Sequence, residues 1–182
     1  LMSMPFSGPP LLKNIDKLLQ INKKLSLLKH KKKHYQYYFS SYGAPHNIMK
    51  SQEGLKVFFR NYFHFKSHDY KNNRPYRLKS FTAENLSKMP EYYIMNSNLG
   101  ITQTVKKYAP SLEEVSNCNW LNNADLDFYI RSFIKSGITK PLFWYKVMLS
   151  RKEKLRIIKL NLPRFISTPS IFISGSSDWG MY

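Results

Sequence analysis

Pro169-Ser-Ile-Phe-Ile-Ser-Gly-Ser-Ser-Asp-Trp-Gly-Met-Tyr182 is the stretch that decides how this chain is read. A β-branched and aromatic run (Ile171, Phe172, Ile173) follows a proline and empties into Ser174-Gly175-Ser176-Ser177. That pattern predicts a buried strand over 170–174 and a tight turn with Asp178 at its tip. In open α/β sheets, functional residues sit beyond the carboxyl ends of the strands, so Asp178 is a candidate catalytic carboxylate.

Upstream of this segment the pattern is helical. Leu11, Leu12, Ile15, Leu18, Leu19, Leu25 and Leu28 recur at helical spacing between lysines, predicting a basic amphipathic helix. Ser51 is expected to cap a second helix, with Glu53 in its first turn and Leu55, Phe58, Phe59, Tyr62 and Phe63 on one aromatic face. Lys71 to Arg77 reads as a loop, and Thr82 as the cap of a short helix ending near Pro90. Ser111-Leu-Glu-Glu114 is a capping box. Asn123 is read as the next cap, with Leu126, Tyr129, Ile130 and Phe133 on one side and Gly137 as the stop. Pro141 suits the first turn of a helix running to about Leu149. A single buried strand cannot satisfy its own backbone groups, so the strand-like ends imply a sheet to join.

Composition narrows the function. The chain of 182 residues is 42% hydrophobic and 15% aromatic, enough apolar material for a core, and carries a formal net charge of +18. Such charge suits nucleic acid, anionic membranes or acidic partners. The lysines are spread along the chain, apart from Lys29-His-Lys-Lys-Lys-His34, and no nucleic-acid recognition motif accompanies them, so no specific nucleic-acid partner is expected. The single Cys118 excludes an internal disulfide framework and lacks a catalytic signature. No apolar run reaches the ~20 residues needed to span a bilayer. Leu1–Pro10 lacks the pattern of a signal peptide, which makes the cytoplasm the expected location. His64 and His68 are four apart, but without a third ligand no metal site is expected.

Three segments in order resemble epoxide-hydrolase-like α/β hydrolases. His34-Tyr35-Gln36-Tyr37-Tyr38-Phe39 is similar to the Tyr-Gln motif opening the family's helical cap. Phe143-Trp144-Tyr145-Lys146 resembles the Asn-Trp-Tyr-Arg motif near the cap's end, and Ser174-Gly-Ser-Ser-Asp178 the segment that supplies the triad acid. Leu1–Phe6 is similar to the core strand before the cap, and Tyr92-Tyr-Ile-Met95 to a mid-cap segment.

The resemblance implies a mainly α fragment of an α/β-hydrolase fold. Residues 1–10 form the end of a core strand and a loop, 11–150 the cap, and 151–182 the return to the core. It also implies a chemistry that needs no cofactor. An aspartate attacks an epoxide or related small electrophile to form an ester, two cap tyrosines stabilise the departing oxygen, and a histidine oriented by an acid activates water. Tyr35 and Tyr145 match the cap tyrosines and Asp178 the orienting acid, while Gln36 and Trp144 are placed against substrate. In related dehalogenases the cap donors hold a halide instead.

No residue matches the nucleophile, and His30, His34, His46, His64 and His68 all precede Asp178, whereas the family's histidine follows it. Lys146 stands where the family has Arg. The chain alone is therefore expected to lack turnover. The alternatives are a basic helical module that binds an anionic partner, and a non-functional gene remnant.

Overall fold

The structure, a computed structural model, describes residues 8–51 and 53–182. Ten α-helices and one short antiparallel ladder make up the regular structure of these residues. In order they are α1 (Lys17–Ser26), β1 (Lys32–His34), α2 (Tyr35–Phe39), α3 (Gly43–Met49), α4 (Gly54–Lys66), α5 (Ala83–Leu86), β2 (Ile94–Asn96), α6 (Ile101–Lys106), α7 (Leu112–Ser116), α8 (Asn123–Ser136), α9 (Thr139–Leu149) and α10 (Arg151–Lys159). Two 3-10 turns, Leu12–Asn14 and Trp179–Met181, lie near the ends.

Helix starts follow local chemistry. Thr82 accepts from the Asn85 amide, and Ser111 and Glu114 form the reciprocal capping box. Asn122, not Asn123, caps α8 by accepting from the Asp125 amide. Gly137, at φ 71, ends α8 as expected. The start of α4 differs from the sequence reading. Ser51 caps no helix, and Glu53 is the residue before the helix rather than in its first turn. The chain turns at Gly54, whose φ of 82 suits glycine, and α4 runs from there. The basic helix is also shorter than the leucine spacing suggests, beginning at Lys17.

The aromatic face of α4 anchors the larger core. Phe58, Phe59 and Phe65 are buried, and Phe133 of α8 stacks on Phe59 with centroids 5.0 Å apart. Burying each such ring contributes about 1.5–3 kcal/mol. A smaller cluster packs Ile21 and Leu25 of α1 against Ala83, Leu86 and Ile94. The ladder pairs Lys32 with Asn96, Lys33 with Met95 and His34 with Ile94. The Asn22 side chain ties α1 to it by accepting from the His34 amide at 2.8 Å.

The strand read over 170–174 is absent. Ile171 and Ile173 are 85% and 82% exposed, in an irregular segment that follows α10. A β-branched run becomes a strand only where a neighbouring strand accepts its backbone groups, and none among the described residues does. The expected strand at Leu1–Phe6 lies outside the described residues. Among those residues, no helix is long and apolar enough to cross a membrane.

Candidate functional site

Tyr35 is set by backbone pairing on one side and capping on the other. Its amide donates to the Tyr93 carbonyl at 2.8 Å, continuing the ladder, and the preceding His34 side chain accepts from the Gln36 amide to cap α2. Tyr145 comes from α9, where Leu142, Tyr145 and Leu149 fall at core-facing spacing. Packing of α2 on α9 brings the two tyrosines together edge-to-face, with centroids 5.8 Å apart and planes at 77°. The ring of Phe39 stacks on Tyr145 at 5.2 Å and fixes its position.

Asp178 arrives at the same place from the far end of the chain. Its Oδ1 accepts from the Tyr93 hydroxyl at 3.2 Å and from the Gly180 amide at 2.8 Å. The ring of Tyr93 lies edge-on to Tyr35, centroids 5.1 Å apart. A buried anchor holds this tail: Trp179 is 5% exposed and donates from Nε1 to Asn73 Oδ1 at 3.0 Å. The Asn73 amide also donates to the carbonyls of Ser67 and Ser177, at 2.9 and 3.2 Å. One asparagine thus links the end of α4 to the tail bearing Asp178.

Lys66, the last residue of α4, completes the cluster. Its ammonium lies 5.2, 5.5 and 5.8 Å from the ring centroids of Tyr62, Tyr92 and Tyr93. By surface area the residue as a whole is exposed, so its ammonium is crowded by the rings but not sealed from water. Crowding by the rings still costs the ammonium hydration and lowers its pKa, an effect opposed by Tyr35 and Asp178.

The phenols respond to the same burial. It pushes Tyr62 up to about 12 and raises Tyr35, Tyr92, Tyr93 and Tyr145, the proximity of Asp178 adding to the rise at Tyr92 and Tyr93. Phenols are protonated at neutral pH in any case, and burial keeps these protonated well into the alkaline range. Gln36 donates to the Tyr35 oxygen at 3.1 Å, which leaves the Tyr35 proton free for another acceptor. The Tyr145 hydroxyl has no hydrogen-bond partner among the described residues. Protonated phenols of neighbouring rings are the kind of donor that can stabilise an oxygen gaining negative charge.

Of the residues read from sequence, Tyr35, Gln36, Tyr145 and Asp178 meet here. Trp144 does not join them: it is 56% exposed and belongs to no aromatic pair among the described residues. Lys146 turns to Tyr42 instead, its Nζ 2.5 Å from the hydroxyl. His64 and His68 do not share a helix face, because α4 ends at Lys66. His64 is buried 4.0 Å from Glu114, and His68 meets the Ser177 hydroxyl. Among the described residues no three candidate ligands come together for a metal.

Sequence reasoning missed Lys66 and Tyr93. One signal was present: Lys66 follows Tyr62 by four, so both lie on one helix face. No family model, curated protein or solved structure matches this chain.

Proposed function

We propose that this chain is the cap-containing portion of an α/β hydrolase resembling epoxide hydrolases, and that Tyr35 and Tyr145 donate to the oxygen leaving an epoxide carbon. The observation that carries this reading is the meeting of those two tyrosines, 5.8 Å between centroids, with both phenols held protonated. They come from opposite ends of the helical region. The reaction needs two protonated donors on one oxygen, because the alkoxide is strongly basic until it takes a proton. Gln36 fits the role of orienting Tyr35, since it occupies the oxygen and not the proton. Asp178 has Oδ2 without a hydrogen-bond partner among the described residues and so able to orient a histidine, its Oδ1 being bound to Tyr93 and Gly180.

In this reading the nucleophilic aspartate and the histidine have no counterpart among the 182 residues. The chain alone then leaves a styrene-oxide-type probe unhydrolysed. Joined to the nucleophile-bearing and histidine-bearing segments of an epoxide hydrolase, it should gain turnover. Tyr35→Phe and Tyr145→Phe in that chimera should each lose on the order of 10²-fold in kcat, the worth of one donor to a developing oxyanion. Robust hydrolysis by the chain alone, or full activity in both Phe variants, refutes the assignment.

A further inference from the structure

A cavity of about 340 Å³ opens beside the docked tail, on residues that do not touch the reacting atoms of the proposed reaction. Its walls include the rings of Phe65, Tyr76, Tyr108 and Trp179 and the cations of Arg74 and Lys88. Phe65 and Tyr108 stack with centroids 3.9 Å apart and planes at 11°, while Tyr76 meets the Trp179 indole at 5.2 Å and 69°. The volume is at the small end of the about 300–1,000 Å³ typical of ligand sites, which suits a molecule of one or two rings.

Charge narrows the ligand further. Glu91 is the one acid in the lining, and its carboxylate is already paired with Lys107 at 2.5 Å. Tyr108 stays neutral, pushed up to about 12 by burial and by Glu91. Arg74 uses its Nε on the Lys71 carbonyl, and Lys88 holds the Asn85 side-chain oxygen at 3.1 Å. Neither cation has a carboxylate partner among the described residues. Aromatic walls in a lining that also holds two cations without carboxylate partners among the described residues suit a flat ring that carries an anion.

We propose that this cavity binds a small aromatic carboxylate, its ring on the aromatic walls and its carboxylate at Arg74 and Lys88. Arginine supplies the planar fork that a carboxylate accepts in bidentate fashion. Because Trp179 is both wall and tail anchor, occupancy and tail docking are linked: a ligand that needs the docked tail stabilises it by the same factor that undocking weakens the ligand. The site stands whether or not the chain belongs to a hydrolase.

Isothermal titration of the chain with 2-naphthoate and with the neutral 2-naphthamide tests the proposal. The carboxylate should bind about 10- to 100-fold tighter, the worth of one or two charge-assisted hydrogen bonds. Its affinity should fall as salt rises while that of the amide holds. Arg74→Gln with Lys88→Gln should remove the preference and leave amide binding intact, which also shows that the variant is folded. Equal binding of the two probes, a preference that ignores both salt and the double substitution, or no heat from either at millimolar concentration overturns the proposal.

Discussion

Replacing Asn73 with Ala should release the tail that carries Asp178. Four contacts depend on this buried amide, but only two hold the tail: the donation to the Ser177 carbonyl and the acceptance from Trp179 Nε1. The other two, to Lys66 and Ser67, close the end of α4, where water can replace them. Leaving the indole N–H of a buried tryptophan unpaired costs about 1–3 kcal/mol, and the second bond adds about 1. The docked tail thus loses about 2–4 kcal/mol, which raises its open fraction roughly 30- to 1,000-fold. Hydrogen exchange followed by mass spectrometry on residues 174–182 reads this directly, because the Asp178, Gly180, Met181 and Tyr182 amides are all bonded within the tail. Trp179→Phe keeps a smaller aromatic ring and removes the donor, so it should cost about 1–3 kcal/mol for the lost bond, with the space left by the indole adding to that. The two changes share one bond, and the double variant should fall short of additivity by about 1 kcal/mol. Exchange unchanged in Asn73→Ala, or full additivity, would mean that Asn73 and Trp179 do not hold the tail as described.

Two further outcomes follow from burial. His34 is buried and its pKa is lowered from 6.5 to about 4. The unfolded chain therefore takes up the proton first: stability is full above about pH 6.5, declines as pH falls and has lost this contribution near pH 4, on the order of 3 kcal/mol in all. Urea midpoints measured across that range should flatten in His34→Gln, with a residual slope from His64, which is lowered in the same sense. An unaltered pH profile in that variant contradicts the assignment. Ile171→Ser with Ile173→Ser should change stability by less than about 0.5 kcal/mol, since both side chains are exposed. A loss of about 2 kcal/mol or more per site in thermal unfolding would point instead to a buried strand there.

Local chemistry was legible in the sequence, and pairing across long separations was not. The Ser111 capping box and the Thr82 cap need only residues three positions apart, so the pattern carries them. At Asn122 and Asn123 two equivalent side chains compete, and the cap moved by one position. The β1–β2 ladder left no signal because Lys32-Lys33-His34 reads as a charged run, and its partner Ile94-Met95-Asn96 lies far along the chain. The opposite error occurred at Ile171-Phe172-Ile173. Its residue types suit a strand, but strand formation depends on a neighbour that the pattern does not contain.

The tyrosine cluster shows both effects. Tyr35, Tyr145 and Asp178 were picked out by family resemblance, each in its own segment. Lys66 has only its spacing from Tyr62 as a sequence signal, and Tyr93 becomes visible only when α2, α4, α9, the turn before β2 and the tail are assembled. Tyr93 is decisive for Asp178, because it binds Oδ1 while the Gly180 amide binds the same oxygen. A carboxylate so held has a fixed plane and one oxygen, Oδ2, to offer. An acid that must orient an imidazole needs both properties, since a freely rotating carboxylate would not select one ring position. The tail anchor at Trp179 and Asn73 therefore serves the proposed chemistry by immobilising Asp178, although neither residue touches the reacting atoms.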